Sequence, residues 1–342
     1  MMRDPDLLTF TLLALLTACR HDRAEDLGPA GPSVTPYELG RPYYFPELQI
    51  PADDPLTVEG IALGRRLYYD PILSTGGPLA GLSCSSCHNQ SLSFSVPNNG
   101  PSVLPHVNLA WSRNFLWNGK VQGDLEDIMC FEVEEFFQVD LNVLRNHPVY
   151  PDRFRDAFGE VEITGTLVEK ALAQWFRRLV SSNSRFDSYL RHEIEFTTSE
   201  FNGMMVFMTE TGDCFHCHGI PLMTDNAFHN IGLDSAFTPA DQGRYLVTGD
   251  PADLGAFKAP TLRNVALTAP YMHDGRFQTL EEVVEHYDSG VNPSPSLDPI
   301  MTKPGQLIHL GLNPMQKADL LAFLHTLTDD SFITDTALAS PF

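Results

Sequence analysis

The chain has 342 residues, and 44 acidic against 22 basic side chains leave a formal charge of −22. A field of that sign excludes nucleic-acid binding, which rests on cationic contacts to phosphate. With 43% hydrophobic and 19% charged residues this is ordinary globular protein of two-domain length, and its 24 Gly and 26 Pro predict long loops. Residues 1–18 read as a targeting segment, because the apolar run Leu7 to Leu16 has signal-peptide length and is too short to span a bilayer. The competing reading is a buried N-terminal helix. Residues 19–55, with Pro29, Pro32, Pro36, Pro42, Pro46, Pro51 and Pro55, are expected to be a polar tether.

The apolar run ends in Leu16-Thr17-Ala18-Cys19, which resembles a bacterial lipobox. That resemblance implies a lipoprotein signal peptide, export to the periplasm, and a membrane anchor consisting only of lipid on Cys19.

Further along, Cys84-Ser-Ser-Cys87-His88 and Cys214-Phe-His-Cys217-His218 are two copies of one pattern. C-x-x-C-H attaches haem c: the thiols add to the vinyl groups and the histidine ligates iron. A dithiol redox pair would want a βαβ setting, and a zinc site would want more Cys or His close by. Neither condition is met, so two covalent haems are expected. Cys130 is left over, expected as a buried thiol.

The motifs lie 130 residues apart, so each is expected to anchor its own domain, divided near residue 190. The periodicity around them is helical. Leu167, Val168, Ala171, Leu172, Trp175 and Phe176 predict an amphipathic helix starting near Thr164 or Thr166. A second helix is expected over Thr198 to Met208. Thr279 and Glu282 have capping-box spacing and open a third, with Leu280, Val283, Val284 and Tyr287 on one face. Asn313-Pro314 starts the last. Strand alternation is scarce, so the fold class is mainly α.

Five stretches carry a wider likeness: Gly64 to Asp70 (GRRLYYD), Trp117 to Lys120 (WNGK), Phe257 to Asn264 (FKAPTLRN), Thr268 to Gly275 (TAPYMHDG) and Thr279 to Val283 (TLEEV). From about residue 46 onward the chain resembles the bacterial di-haem cytochrome c peroxidases and their MauG relatives. The resemblance implies two cytochrome c-like haem domains with long loops: a peroxidatic one over 56–190 around His88, and an electron-transfer one over 191–342 around His218. It places Trp117 between the haems.

In family peroxidases a methionine fourteen residues after the His of Pro-Tyr-x-His-Asp-Gly ligates the second iron. Counting from His273 gives Tyr287, as in MauG-type enzymes, and a tyrosinate favours oxidised iron. A core tyrosine is the competing reading, with Met301 and Met315 as fallback ligands. The family loop carrying a histidine that caps the peroxidatic iron is missing: nineteen residues separate His88 from Asn108, and His106 is the single His among them. That haem is therefore expected to need no reductive activation. The family's calcium site would fall on Ser102, where an Asn is usual, with the carbonyls of Thr268 and Pro270. Ile128 stands where a distal Gln is expected. The distal acid is then expected among Glu132, Glu134 and Glu135, each of which could equally be a solvated surface acid.

Three functions follow from the resemblance. One is reduction of hydrogen peroxide with electrons from a cytochrome c or similar small redox protein. Another is a MauG-like use of peroxide to oxidise aromatic residues of a partner protein, and the third is a non-enzymatic di-haem electron carrier.

Overall fold

The computed structural model describes residues 34–96, 102–159, 162–303, 306–307 and 309–342. The expected signal peptide, Cys19 and the start of the expected tether lie outside them. The described chain is mainly helical, with three two-stranded antiparallel ribbons. Among the described residues no helix is long and apolar enough to cross a membrane.

One helix-pair motif occurs twice. Helix Val58–Tyr69, capped by the Thr57 hydroxyl, crosses helix Gly165–Arg178, capped by Thr164. The second pair is Thr198–Phe207, opened by the Thr197/Glu200 capping box, and Pro314–His325, opened by Asn313 and Gln316. Both crossings are close enough to require glycine. A Cβ on Gly64 would strike the Ala171 carbonyl, and one on Gly203 would strike that of Asp319. Gly64→Ala or Gly203→Ala is therefore expected to lower stability by roughly 1–3 kcal/mol in denaturant titrations of the holoprotein. Gly76→Ala, where nothing lies within 4 Å, is expected to be neutral.

Each pair encloses its own core. Leu63, Leu67, Tyr68, Leu172, Trp175 and Phe176 centre the first, and Phe186, Phe207, Leu280, Val284, Leu320 and Phe323 the second. A matching loop closes each half. Asn108 and Asn264 both adopt left-handed backbone, at φ 55° and 61°, ahead of one-turn 3₁₀ helices. Their N–H groups donate to the carbonyls of Leu179 and Leu327, each just past its half's last long helix, at 3.0 Å in both cases.

Two expectations need correction. Residues 34–55, expected as tether, are docked on the body. Phe45 is 2% exposed, meets the Trp111 ring at 5.3 Å and lies under the Arg263 guanidinium at 4.8 Å. The Tyr44 hydroxyl donates to Asp187 at 2.9 Å, and Asp187 forms a fully buried ion pair with Arg263. Residues 330–342, expected with the second domain, return to the first core. Phe332 and Leu338 are buried there, and Arg65 donates to the Thr336 and Ala339 carbonyls.

Candidate haem cavities

The two C-x-x-C-H segments wrap in the same way. Cys84–Cys87 is one helical turn with a Ser83/Ser86 capping box, and Cys214–His216 is a 3₁₀ turn. The following N–H closes both: His88 donates to the Cys84 carbonyl and His218 to that of Cys214, each at 3.0 Å. Both thiols and the imidazole of each motif thereby face one cavity. The first cavity, of about 430 Å³, is lined by Cys84, Cys87, His88, His106, Trp117 and Glu132 among apolar side chains such as Leu172 and Phe176. The second, of about 210 Å³, is lined by Cys214, Cys217, His218, Tyr287 and Met301, with Leu280, Val284 and Leu320.

Each motif histidine is oriented by its Nδ1, which donates to the Phe94 carbonyl at 2.8 Å in His88 and to the Met223 carbonyl at 3.1 Å in His218. That leaves Nε2 for a metal, the usual arrangement of a ligating imidazole. Burial lowers both pKa values, His88 to about 4, so both rings stay neutral as iron ligands must. Burial also raises the Cys84 and Cys214 thiols. His106 stacks on the His88 ring, centroids 3.5 Å apart and planes 16° off parallel, and its Nδ1 lies 3.1 Å from the Tyr68 hydroxyl. It therefore stands beside the His88 imidazole.

The wall across each cavity comes from a helix that widens. Leu125–Phe131, N-capped by Asp124, runs into a π-turn over Glu132–Phe136. Leu280–Glu285, N-capped by Thr279, runs into a π-turn over His286–Gly290. Glu132 and Tyr287 each stand eight residues beyond the N-cap, in the widened turn, and each lines its own cavity. π-turns of this kind are frequent at functional sites. Tyr287 thus reaches the cavity through a π-turn rather than along the continuous α-helical face expected from its spacing. Burial pushes the Glu132 carboxyl up to about 7. Burial, then the neighbouring Cys217 and Cys214 thiols, raises the Tyr287 phenol.

Other expected residues fall elsewhere. Glu134 and Glu135 are exposed and do not line the cavity; Glu135 pairs with Lys120 at 2.8 Å, and Glu134 lies beside Cys130 and Glu169. Met315 is 71% exposed and unplaced for ligation, whereas Met301 lines the second cavity. Cys130 is half-buried rather than buried.

Trp117 belongs to the wall shared by the two cavities. Its Nε1 donates to the Ser102 carbonyl at 2.7 Å, and its own carbonyl accepts from the Lys258 N–H at 2.8 Å. Ser102, Thr268 and Pro270 all line the second cavity. Sequence reasoning gave Lys258 no role, although it lies in the FKAPTLRN stretch; nothing in that motif signals that its side chain is buried. The residues of both cavities fit a covalent haem, with two thiols and one neutral, oriented imidazole apiece.

The family model for di-haem cytochrome c peroxidase matches residues 58–195. Methylamine utilization protein MauG of Methylorubrum extorquens is 36% identical over 297 residues, spanning 81% of this chain and 80% of the relative. Cytochrome c551 peroxidase of Nitrosomonas europaea is 31% identical over 304 residues, spanning 82% and 83%. The chain belongs to the di-haem cytochrome c peroxidase/MauG family. A solved MauG-like protein associated with microbial copper homeostasis matches its fold with a TM-score of 0.79 at 32% identity, over 89% of this chain and 99% of that one. As a member of the di-haem peroxidase/MauG family the protein is an oxidoreductase whose cofactors are two haem c groups.

Proposed function

We propose that the protein reduces hydrogen peroxide in the cavity of His88, Glu132 and Trp117, with electrons from a cytochrome c or similar small donor entering through the cavity of His218 and Tyr287. The observation that carries this reading is Glu132: a cavity-lining carboxylate raised to about 7 by burial, at the position matching Tyr287 in the other half. Haem, when bound, supplies the redox chemistry. Cys84 and Cys87 would hold one group with His88 as its ligand, and Cys214 and Cys217 the other, with His218 and Tyr287 as its candidate ligands. The first lies in a domain of residues 56–190 completed by the returning tail, the second in a domain beginning near 191.

Glu132 takes a proton from incoming peroxide and returns it to the departing oxygen, the general acid–base role. Trp117, in the shared wall, gives electrons an aromatic route between the cavities. His106 stacks beside His88 and meets the Tyr68 hydroxyl, which supports a first site that would need no reductive activation.

Tyr287 favours a second reading, in which peroxide oxidises aromatic residues of a partner protein, because an anionic oxygen ligand stabilises oxidised iron. A cavity-lining Glu132 disfavours the non-enzymatic carrier. Calcium has weaker support: Ser102, Thr268 and Pro270 offer neutral oxygens, and the Ser102 carbonyl already accepts from Trp117. Export to the periplasm with a lipid on Cys19 accords with haem attachment, and rests on the sequence around that cysteine.

The test begins with intact mass. The wild-type chain is expected to carry two haems, and Cys84→Ala/Cys87→Ala or Cys214→Ala/Cys217→Ala one each. Peroxide consumption with reduced cytochrome c then tests the reaction; two haems without any peroxide reaction would leave only the carrier.

A further inference from the structure

Lys258 is the single Lys or Arg that lines either cavity among the described residues, and it lines both. It sits in the short ribbon Phe228–His229/Phe257–Lys258, where its N–H is fixed by the Trp117 carbonyl. The residue is 6% exposed. No carboxylate stands within ion-pair distance of it among the described residues, although the chain has twice as many acids as bases. The one anion among the described residues that acts on it electrostatically, Asp225, is already bonded to His229, whose ring is held on its other side by Asp298. His273, the remaining candidate cation beside the second cavity, is bonded to Asp241. A buried ammonium without an anion is costly, and folded proteins pair such groups. Burial accordingly lowers the Lys258 pKa, to about 8.

We propose that Lys258 is a carboxylate-binding site that holds propionates of both haems where the two cavities meet. This rests on the two-haem reading above. Each haem brings two propionate carboxylates into a cavity walled mainly by apolar side chains, and those anions need a counter-charge. An ammonium has three donors, enough to serve carboxylates from two sides of one wall. The same residue anchors Trp117 through its backbone, so the counter-charge and the aromatic bridge are fixed by one ribbon.

The test uses the full-length holoprotein and the variants Lys258→Met and Lys258→Arg. Removing the positive charge beside the propionates disfavours the reduced state, so Lys258→Met is expected to lower the midpoint potentials of both haems in a spectroelectrochemical titration. It is also expected to shift the propionate bending modes in resonance Raman spectra. Lys258→Arg keeps the charge and is expected to restore both towards wild type. Should Lys258→Met not retain both haems, Lys258→Gln carries the same comparison. Unchanged potentials and modes, or a change confined to one haem, overturn the proposal. Haem count on the wild type separates the two levels: two haems with unchanged potentials in the variant refute the Lys258 site alone, whereas fewer than two refute the reading beneath it and this one with it.

Discussion

Replacing Tyr287 with Met is expected to raise the midpoint potential of the His218 haem by on the order of 0.1 V or more, within the roughly 0.8 V range that axial ligands span. A phenolate oxygen is hard and anionic and favours ferric iron, whereas a thioether is neutral and soft and favours ferrous iron. The phenol of Tyr287 is raised by burial, so without a metal it stays neutral; a ferric ion would supply the charge that removes its proton. Tyr287→Met should therefore also increase turnover with reduced cytochrome c, because a higher-potential second haem accepts electrons more readily. Tyr287→Phe removes the oxygen and keeps the ring, so it is expected to change the spectrum of the His218 haem while leaving the His88 haem nearly intact. If neither variant moves the spectrum or potential, Tyr287 is a packing residue and the aromatic-oxidation reading loses its main support.

How much of this was legible in the sequence follows from the range of the interactions involved. The attachment motifs and helix caps are local patterns, and Thr164, Thr279 and Asn313 cap the helices expected of them. Residues 34–55 read as a tether from sequence because proline-rich composition describes only the local chain. Their anchors, Phe45 under Arg263 and Tyr44 on Asp187, join positions far apart in sequence. The returning tail escaped for the same reason: Phe332 and Leu338 look like any second-domain residues until they meet the first core. The family resemblance, shortened after Leu125-Glu126, leaves Glu132, Glu134 and Glu135 equivalent. The structure separates them by face: Glu132 follows the buried Leu125, Ile128 and Met129 at helical spacing and lines the cavity, while Glu134 and Glu135, further along the π-turn, face solvent. The correspondence with Tyr287 emerges only when the two halves are compared through their capped helices.

That correspondence gives Glu132→Gln a large expected effect: a fall in kcat/KM for peroxide of about 10²–10⁴-fold, the usual contribution of a positioned acid–base group. Glu134→Gln and Glu135→Gln, on the outer side of the same turn, are expected to stay within a few-fold of wild type. The pH profile carries independent information. Glu132 must be ionised to take the first proton, and burial holds its pKa at about 7, so peroxide reduction should rise with pH through about 7 and then level off. The variant should lose that dependence along with the rate. Stability should move the other way. A carboxyl whose folded pKa lies above its unfolded value of about 4.3 binds its proton more tightly when folded; its contribution is present at low pH and is lost as pH rises from about 4 to about 7. Above that window wild type bears a desolvated charge that Gln does not have. Glu132→Gln should thus be at least as stable as wild type at pH 8 in denaturant titrations, while nearly inactive towards peroxide. A variant both inactive and strongly destabilised would instead mark Glu132 as structural, and one with unaltered peroxide kinetics would remove it from the reaction.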